Sequence, residues 1–122
     1  NRDYLQHRQS ASWMYLARLA AAKEYAYLTE LYNAGFPVPE PIGHNRHAIV
    51  MEYLDDAVCM CQIRKLDKPQ LLLEKCMSLL VSIAQSGVIH GDFNEFNLLI
   101  RTVRIDPLDE LSEVEDYEVY VI

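Results

Sequence analysis

The residues in this chain best arranged to do chemistry are His90-Gly91-Asp92-Phe93-Asn94-Glu95-Phe96-Asn97. Asp92 and Asn97 are separated by four residues, after an apolar helical pattern that stops at Gly87 and before the short apolar run 98–100. A short turn with that spacing can aim a carboxylate at an incoming hydroxyl or water and return an amide oxygen to a hard cation on phosphate groups. This is phosphoryl-transfer chemistry, with Asp92 as catalytic base or water-positioning residue and Asn97 as the ligand of Mg2+. His90 suits organising the loop by hydrogen bonding, because the adjacent carboxylate already holds the base position.

Glu24 is the other carboxylate that asks for a partner. It falls on the stripe Ala17, Ala20, Leu28 and Leu31 of a helical pattern, and the positions three and four away are Ala20, Ala21, Tyr27 and Leu28, none of them a cation. Its charge must be met from elsewhere; the competing reading is a residue at the edge of the stripe that reaches water. His44 and His47 have no cysteine or carboxylate at ligand spacing and read as strand histidines. Cys59, Cys61 and Cys76 are odd in number, and Cys59-x-Cys61 lacks the His or second cysteine pair of a zinc site, so reduced thiols of a cytosolic or nuclear protein are expected.

The elements that must position these residues can be read from periodicity and punctuation. Ser10 or Ser12 is placed to cap a long helix through Trp13, Leu16, Leu19, Ala20, Leu28 and Leu31, ending at Gly35. Phe36-Pro37-Val38-Pro39-Glu40-Pro41 cannot continue it and is a stiff extended connector. Residues 42–44 and 47–52 read as a hairpin around Asn45-Arg46, with Ala48-Ile49-Val50-Met51 apolar enough for a covered strand. Asp67, with Pro69 and Gln70 after it, resembles a capping box opening a second helix through Leu72, Cys76, Leu79, Leu80 and Ile83. Residues 98–100 and 119–122 read as two further strands.

With 122 residues, 51% hydrophobic, the chain can bury a small core but cannot form a complete two-lobed enzyme. No apolar run reaches the ~18 residues of a membrane span, and Asn1-Arg2-Asp3-Tyr4 lacks an initiator Met and a signal-peptide core, so the chain reads as a soluble piece of something longer. The net charge of −7 equals the seven acidic residues between Asp106 and Glu118, where no basic residue intervenes. Those charges repel one another, and 101–118 is expected to be largely disordered, an insertion between the strands. The first 23 residues lean basic through Arg2, Arg8, Arg18 and Lys23 against Asp3 alone, which leaves a local phosphate or RNA contact open.

The octet at 90–97 resembles the signature of the second subfamily of RIO-type atypical protein kinases. Asn1-Arg2-Asp3-Tyr4, Ser12-Trp13, Lys23-Glu24-Tyr25-Ala26, Phe36-Pro37-Val38-Pro39 and Asn45-Arg46-His47-Ala48 support it in the family's order, over residues 1–100. The resemblance implies an α+β, protein-kinase-like fold present in part: 1–54 as the end of an N-lobe with a hinge at its close, and 55–122 as the start of a C-lobe with helix, catalytic loop and hairpin carrying the acidic insertion 101–118. It implies ATP and Mg2+ as cofactors. Met51 would be the gatekeeper, backbone groups of Glu52 and Leu54 would bond the adenine, and Glu24 would pair with a phosphate-binding lysine that this chain does not contain. It further implies a cytoplasmic role, with shuttling through the nucleus allowed, in maturation of the small ribosomal subunit. The pre-ribosome, protein and rRNA, would be the partner, with neither membrane nor DNA involved.

Members of the family carry a winged helix, a phosphate-binding loop and the lysine strand, all expected before Asn1, and a metal-binding Asp expected just after Ile122. The 122 residues alone are therefore expected to be inactive. Two alternatives stay open: a non-catalytic, pseudokinase-like binding fragment, and a small-molecule kinase of the aminoglycoside or choline type, which shares His-Gly-Asp and a later Asn.

Overall fold

Two glycines with positive φ, Gly35 at 88° and Gly87 at 89°, follow the two long helices. That backbone region is open to glycine without a steric penalty, which is why both helices stop there. The computed structural model describes residues 9–88 and 93–122, and the chain divides after Tyr53 into two compact units.

In the first unit, helix α1 (Gln9–Asn33) packs on an antiparallel hairpin of β1 (Pro41–Asn45) and β2 (Ala48–Met51). Ser10 and Ser12 lie inside the helical span, so neither is the cap expected from the sequence. The buried face also begins later than expected. Trp13, Leu16 and Leu19 are exposed, and the core is Ala21, Leu28 and Leu31 with Val38 of the proline connector. The reason is length: 25 helical residues extend ~37 Å, whereas a five-residue strand spans about 17 Å, so only the second half of α1 is covered. Gly35 and Phe36 donate back to the carbonyls of Tyr32 and Leu31, turning the chain into the connector. Arg46, at φ 51°, forms the tight turn between the strands. The rings of Tyr25 and His44 meet at 4.7 Å, tilted by 40°, a contact between hairpin and helix. β2 is less covered than its apolar sequence suggests, with Val50 55% exposed, because within this unit α1 is the only described element packed on the two-stranded sheet.

The second unit is a three-stranded antiparallel sheet in the order β3 (Val58–Cys59), β4 (Leu98–Arg104), β5 (Val114–Val121), with helix α2 (Pro69–Gln85) packed on β5. A short 3-10 turn, Met60–Gln62, follows β3. The expected capping box at Asp67 does not form. Lys68 occupies the cap position in the left-handed region, with no side-chain bond to the helix end, and its ammonium instead donates to the Val114 carbonyl at 2.7 Å and pairs with Glu113 at 3.2 Å. The Asp67 carbonyl is taken by the Tyr117 hydroxyl. Leu72, Cys76 and Ile83 of α2 are buried, as are Leu98 and Ile100 of β4 and Val114, Tyr117, Val119 and Val121 of β5, the strand on which the helix packs.

The acidic segment 101–118 is a hairpin, which corrects the expectation of disorder. Ladder pairs run from Leu98↔Val121 to Arg104↔Val114, with an irregularity between Val103 and Arg104 that leaves Glu115 as the extra residue on β5. Period-2 alternation alone would turn Val114 outward when Tyr117 faces in; the bulge restores it to the core. The charges are spread rather than stacked. Lys75 binds Asp116 at 3.1 Å, and Arg101 binds Glu118 at 2.9 Å and Asp56 at 2.7 Å. Asp106 and Asp109 fold the tip by accepting the backbone N–H groups of Leu108 and Leu111, so aspartates that look like repelling charges work as turn formers. Among the described residues no helix is long and apolar enough to cross a membrane.

Candidate catalytic loop and nucleotide-binding residues

The loop that carries Asn97 is tied down on three sides within the second unit. Asn94 accepts the Phe96 N–H on its side-chain oxygen at 2.9 Å, and its carbonyl accepts the Asn97 N–H at 3.1 Å, which closes a turn over four residues. The Asn97 carbonyl accepts the Ile122 N–H at 2.9 Å, so the residue is bonded from the neighbouring end of β5 as well. Leu98, the next residue, is buried and begins the ladder. Asn97 thus sits half-buried where a turn meets a strand, and both of its backbone polar groups are fixed. A side-chain amide oxygen on such a support is a suitable hard donor for Mg2+. Asp92, the catalytic candidate, and His90 beside it lie outside the described residues.

The third tie comes from β3 and the turn after it. Cys61 donates its backbone N–H to the Glu95 carbonyl at 3.0 Å, and the Cys59 thiol lies 3.4 Å from the same oxygen and 3.6 Å from the carbonyl of Phe96. The two sulfurs are 3.0 Å apart. Cys61 donating to Cys59, and Cys59 to the loop carbonyls, satisfies every contact in the set. The Cys61 thiol is pushed up, first by its hydrogen bond to Cys59 and then by burial. Sequence reading set these cysteines aside as reduced thiols. The available signal was the Cys-x-Cys spacing, which here runs from the end of β3 into the 3-10 turn and brings the two sulfurs together.

Of the nucleotide-binding candidates, Met51 ends β2 opposite Pro41 and is half-buried. The Glu52 N–H donates to the Glu40 carbonyl at 2.8 Å, and its carboxylate accepts the Glu40 N–H at 3.1 Å. That leaves the Glu52 carbonyl, with no partner among the described residues, as the backbone group able to meet a ligand. Leu54, the first residue of the second unit, accepts the Ala57 N–H at 3.2 Å. Glu24 is exposed, beside the buried face and not on it, because that face follows Ala21, Leu28 and Leu31. It makes no ion pair among the described residues, and no group of three or more potential metal ligands occurs among them.

Arg101 was not singled out from the sequence. Its guanidinium bonds Asp56, Glu118 and the Tyr120 hydroxyl, at 2.8 Å for the last, and lies 5.1 Å from the Tyr120 ring centre. The cluster joins the turn before β3 to the outer face of β4 and β5, and so holds the sheet that supports the loop.

The family model of the RIO domain matches residues 1–109. The chain belongs to the RIO domain family. It is similar to the serine/threonine-protein kinase rio2 of Dictyostelium discoideum, 56% identical over 100 residues, which cover 82% of this chain and 19% of that protein. It is 43% identical to the serine/threonine-protein kinase RIO2 of Saccharomyces cerevisiae over 100% of this chain and 27% of the relative. Among solved structures, the Rio2 kinase-ADP/Mg2+-phosphoaspartate complex from Chaetomium thermophilum superposes with a TM-score of 0.84 at 46% identity, over 99% of this chain and 34% of that one. The α+β arrangement described above is accordingly part of the RIO kinase fold, and the chain spans between about a fifth and a third of the length of these Rio2 relatives.

Proposed function

We propose that the complete protein carrying this chain is an ATP- and Mg2+-dependent phosphotransferase, a serine/threonine kinase or ATPase, that acts in the cytoplasm on maturation of the small ribosomal subunit, with pre-ribosomal protein and rRNA as its partners. The observation that carries the chemical part is the turn 94–97. It fixes the Asn97 N–H while Ile122 fixes the carbonyl, with four residues between Asn97 and Asp92. Support comes from the Rio2 relatives, which are named serine/threonine-protein kinases, and from the Chaetomium Rio2 complex with ADP, Mg2+ and phosphoaspartate.

Each residue then has one task. Asn97 would hold the metal through its amide oxygen, and Mg2+, when bound, neutralises charge on the nucleotide phosphates. Asp92 orients the attacking hydroxyl or water and accepts its proton. The Glu52 carbonyl and Leu54 N–H meet the adenine edge beside Met51. Glu24, exposed and with no cation three or four positions away on its helix, orients a lysine supplied by another part of the protein. Because phosphoryl transfer rests on positioning and charge neutralisation together, the 122 residues by themselves do not turn over ATP.

The test is nucleotide titration beside single-turnover hydrolysis on the full-length protein and its Asp92→Ala variant. Turnover is expected to fall by at least about a hundredfold, the usual scale for a general base, with nucleotide affinity nearly unchanged because the lost interaction is made in the transition state. Hydrolysis by Asp92→Ala at the wild-type rate would remove Asp92 from the catalytic role.

A further inference from the structure

We propose that Cys59 and Cys61 form a redox-modifiable dithiol whose oxidation by a hydroperoxide to an intramolecular disulfide releases the catalytic loop. Three observations converge on it: sulfurs 3.0 Å apart, an exposed Cys61 beside a half-buried Cys59, and direct contact of the pair with the carbonyls of Glu95 and Phe96, next to Asn97. The third cysteine, Cys76, is buried in the core and takes no part.

The sulfurs need approach by only about 1 Å to reach a bonding distance of ~2.05 Å. In the first step a cysteine thiolate attacks the peroxide oxygen. The O–O bond breaks, an alcohol or water leaves, and the sulfur is left as a sulfenic acid. In the second, the neighbouring thiol attacks that sulfur, the S–S bond forms, and water departs with the hydroxyl and a proton. Both electrons end on the peroxide oxygens, so the balance closes with no other reactant. Exposed Cys61 is the sulfur that meets the oxidant, and Cys59 resolves it. Because the Cys61 thiol is held protonated by its bond to Cys59, formation is expected to be slow at neutral pH and faster as the pH rises.

The consequence for the loop follows from hydrogen counting. A disulfide sulfur carries no hydrogen, so Cys59 can no longer donate to Glu95 or Phe96, and the loop keeps only the Cys61 N–H on that side. The turn bearing Asn97 loses one of its ties, while the β4–β5 ladder that starts at Leu98 stays paired. A loss of nucleotide turnover on oxidation rests on the function proposed above; the formation of the bond and the loosening of the loop do not.

The experiment treats the full-length protein with hydrogen peroxide, alkylates the remaining thiols and digests with trypsin, which yields residues 47–64 with both cysteines in one peptide. That peptide is expected to be lighter by a pair of hydrogens, to resist alkylation, and to revert with dithiothreitol; methionine oxidation adds mass and is separable. Amide exchange at Phe96 and Asn97 is expected to rise about five- to tenfold, the scale of one lost hydrogen bond, and Cys61→Ser should abolish the peroxide response. Full alkylation of both cysteines after peroxide would overturn the modification site. A proven disulfide with unchanged exchange at 94–97 would overturn its link to the loop. If the loop loosens but reduced wild type shows no turnover, the function proposed above fails and the dithiol stands.

Discussion

The two hairpins of this chain invert what their compositions suggest. The β1–β2 ribbon carries a single charged residue, Arg46, yet Ile42 and Val50 are 65% and 55% exposed, because α1 covers one face and no other described element of this unit packs on the second. The β4–β5 hairpin holds seven of the chain's 18 acidic residues, yet Tyr117, Val119 and Val121 are buried. Burial here is decided by the number of layers and by phase, not by the share of apolar residues. In β4–β5 the inward side of β5 is backed by α2, and the charges project outward to cations contributed by β4, α2 and the helix cap.

That contrast can be broken most sharply at Tyr117. Tyr117→Ala removes a buried ring and the bond to the Asp67 carbonyl and is expected to destabilise the chain by about 3 kcal/mol or more. Urea unfolding with amide exchange in α2 reads this, and a loss below about 1 kcal/mol would mean that the hairpin is not seated on the helix. Arg101→Ala comes next. It cuts the links to Asp56, Glu118 and Tyr120, and since the side chain keeps 28% of its exposure the expected loss is about 1–2 kcal/mol, shrinking in high salt.

A smaller effect is tied to pH. The Asp116 carboxyl is held below its ordinary value, first by the Tyr117 N–H and then by Lys75. A lowered folded value means the contribution is complete above the ordinary carboxylate range near 4 and is lost as pH falls through the folded value. Asp116→Asn should therefore remove part of the acid sensitivity of the thermal midpoint below pH ~4, at a cost near neutrality of about 0.5 kcal/mol. An unaltered acid limb would show that the pair with Lys75 is decorative. The least effect belongs to the apolar ribbon: Val50→Ala should change stability by less than about 0.5 kcal/mol, and a larger loss would show that its outer face is covered in solution.

Much of this was legible in the residues. Gly35 and Gly87 mark the helix ends because the following turn needs positive φ, and Pro37, Pro39 and Pro41 forbid any element but an extended connector. The turn of the first hairpin lies at Arg46-His47, one residue beyond the Asn45-Arg46 expected, because Asn45 still pairs with Ala48 in the ladder. What could not be read depends on residues distant in sequence. The run of acidic residues at 106–118 looked self-repelling because its cations, Lys68, Lys75 and Arg101, lie outside that run. Glu24 looked buried because a stripe gives the phase of a helix only to within one position. Asp67 looked like a cap because Pro69 follows it, but the left-handed Lys68 is what turns the chain into the helix. The support for Asn97 was invisible in the same way. Its neighbours Glu95 and Phe96 are met by Cys59 and Cys61, more than thirty residues earlier.

The extra residue at Glu115 has one more consequence. Beyond the last pair, Arg104↔Val114, the tip closes through Ile105 and Glu113 and then leaves the sheet, with Leu108 and Leu111 94–96% exposed. Since the phase of β5 is set at the bulge and not by the length of the tip, residues can be added between Leu108 and Asp109 without turning any core side chain outward. The tip is thus a place where this protein tolerates a grafted epitope or a fluorophore, one attached to the same sheet that supports Asn97.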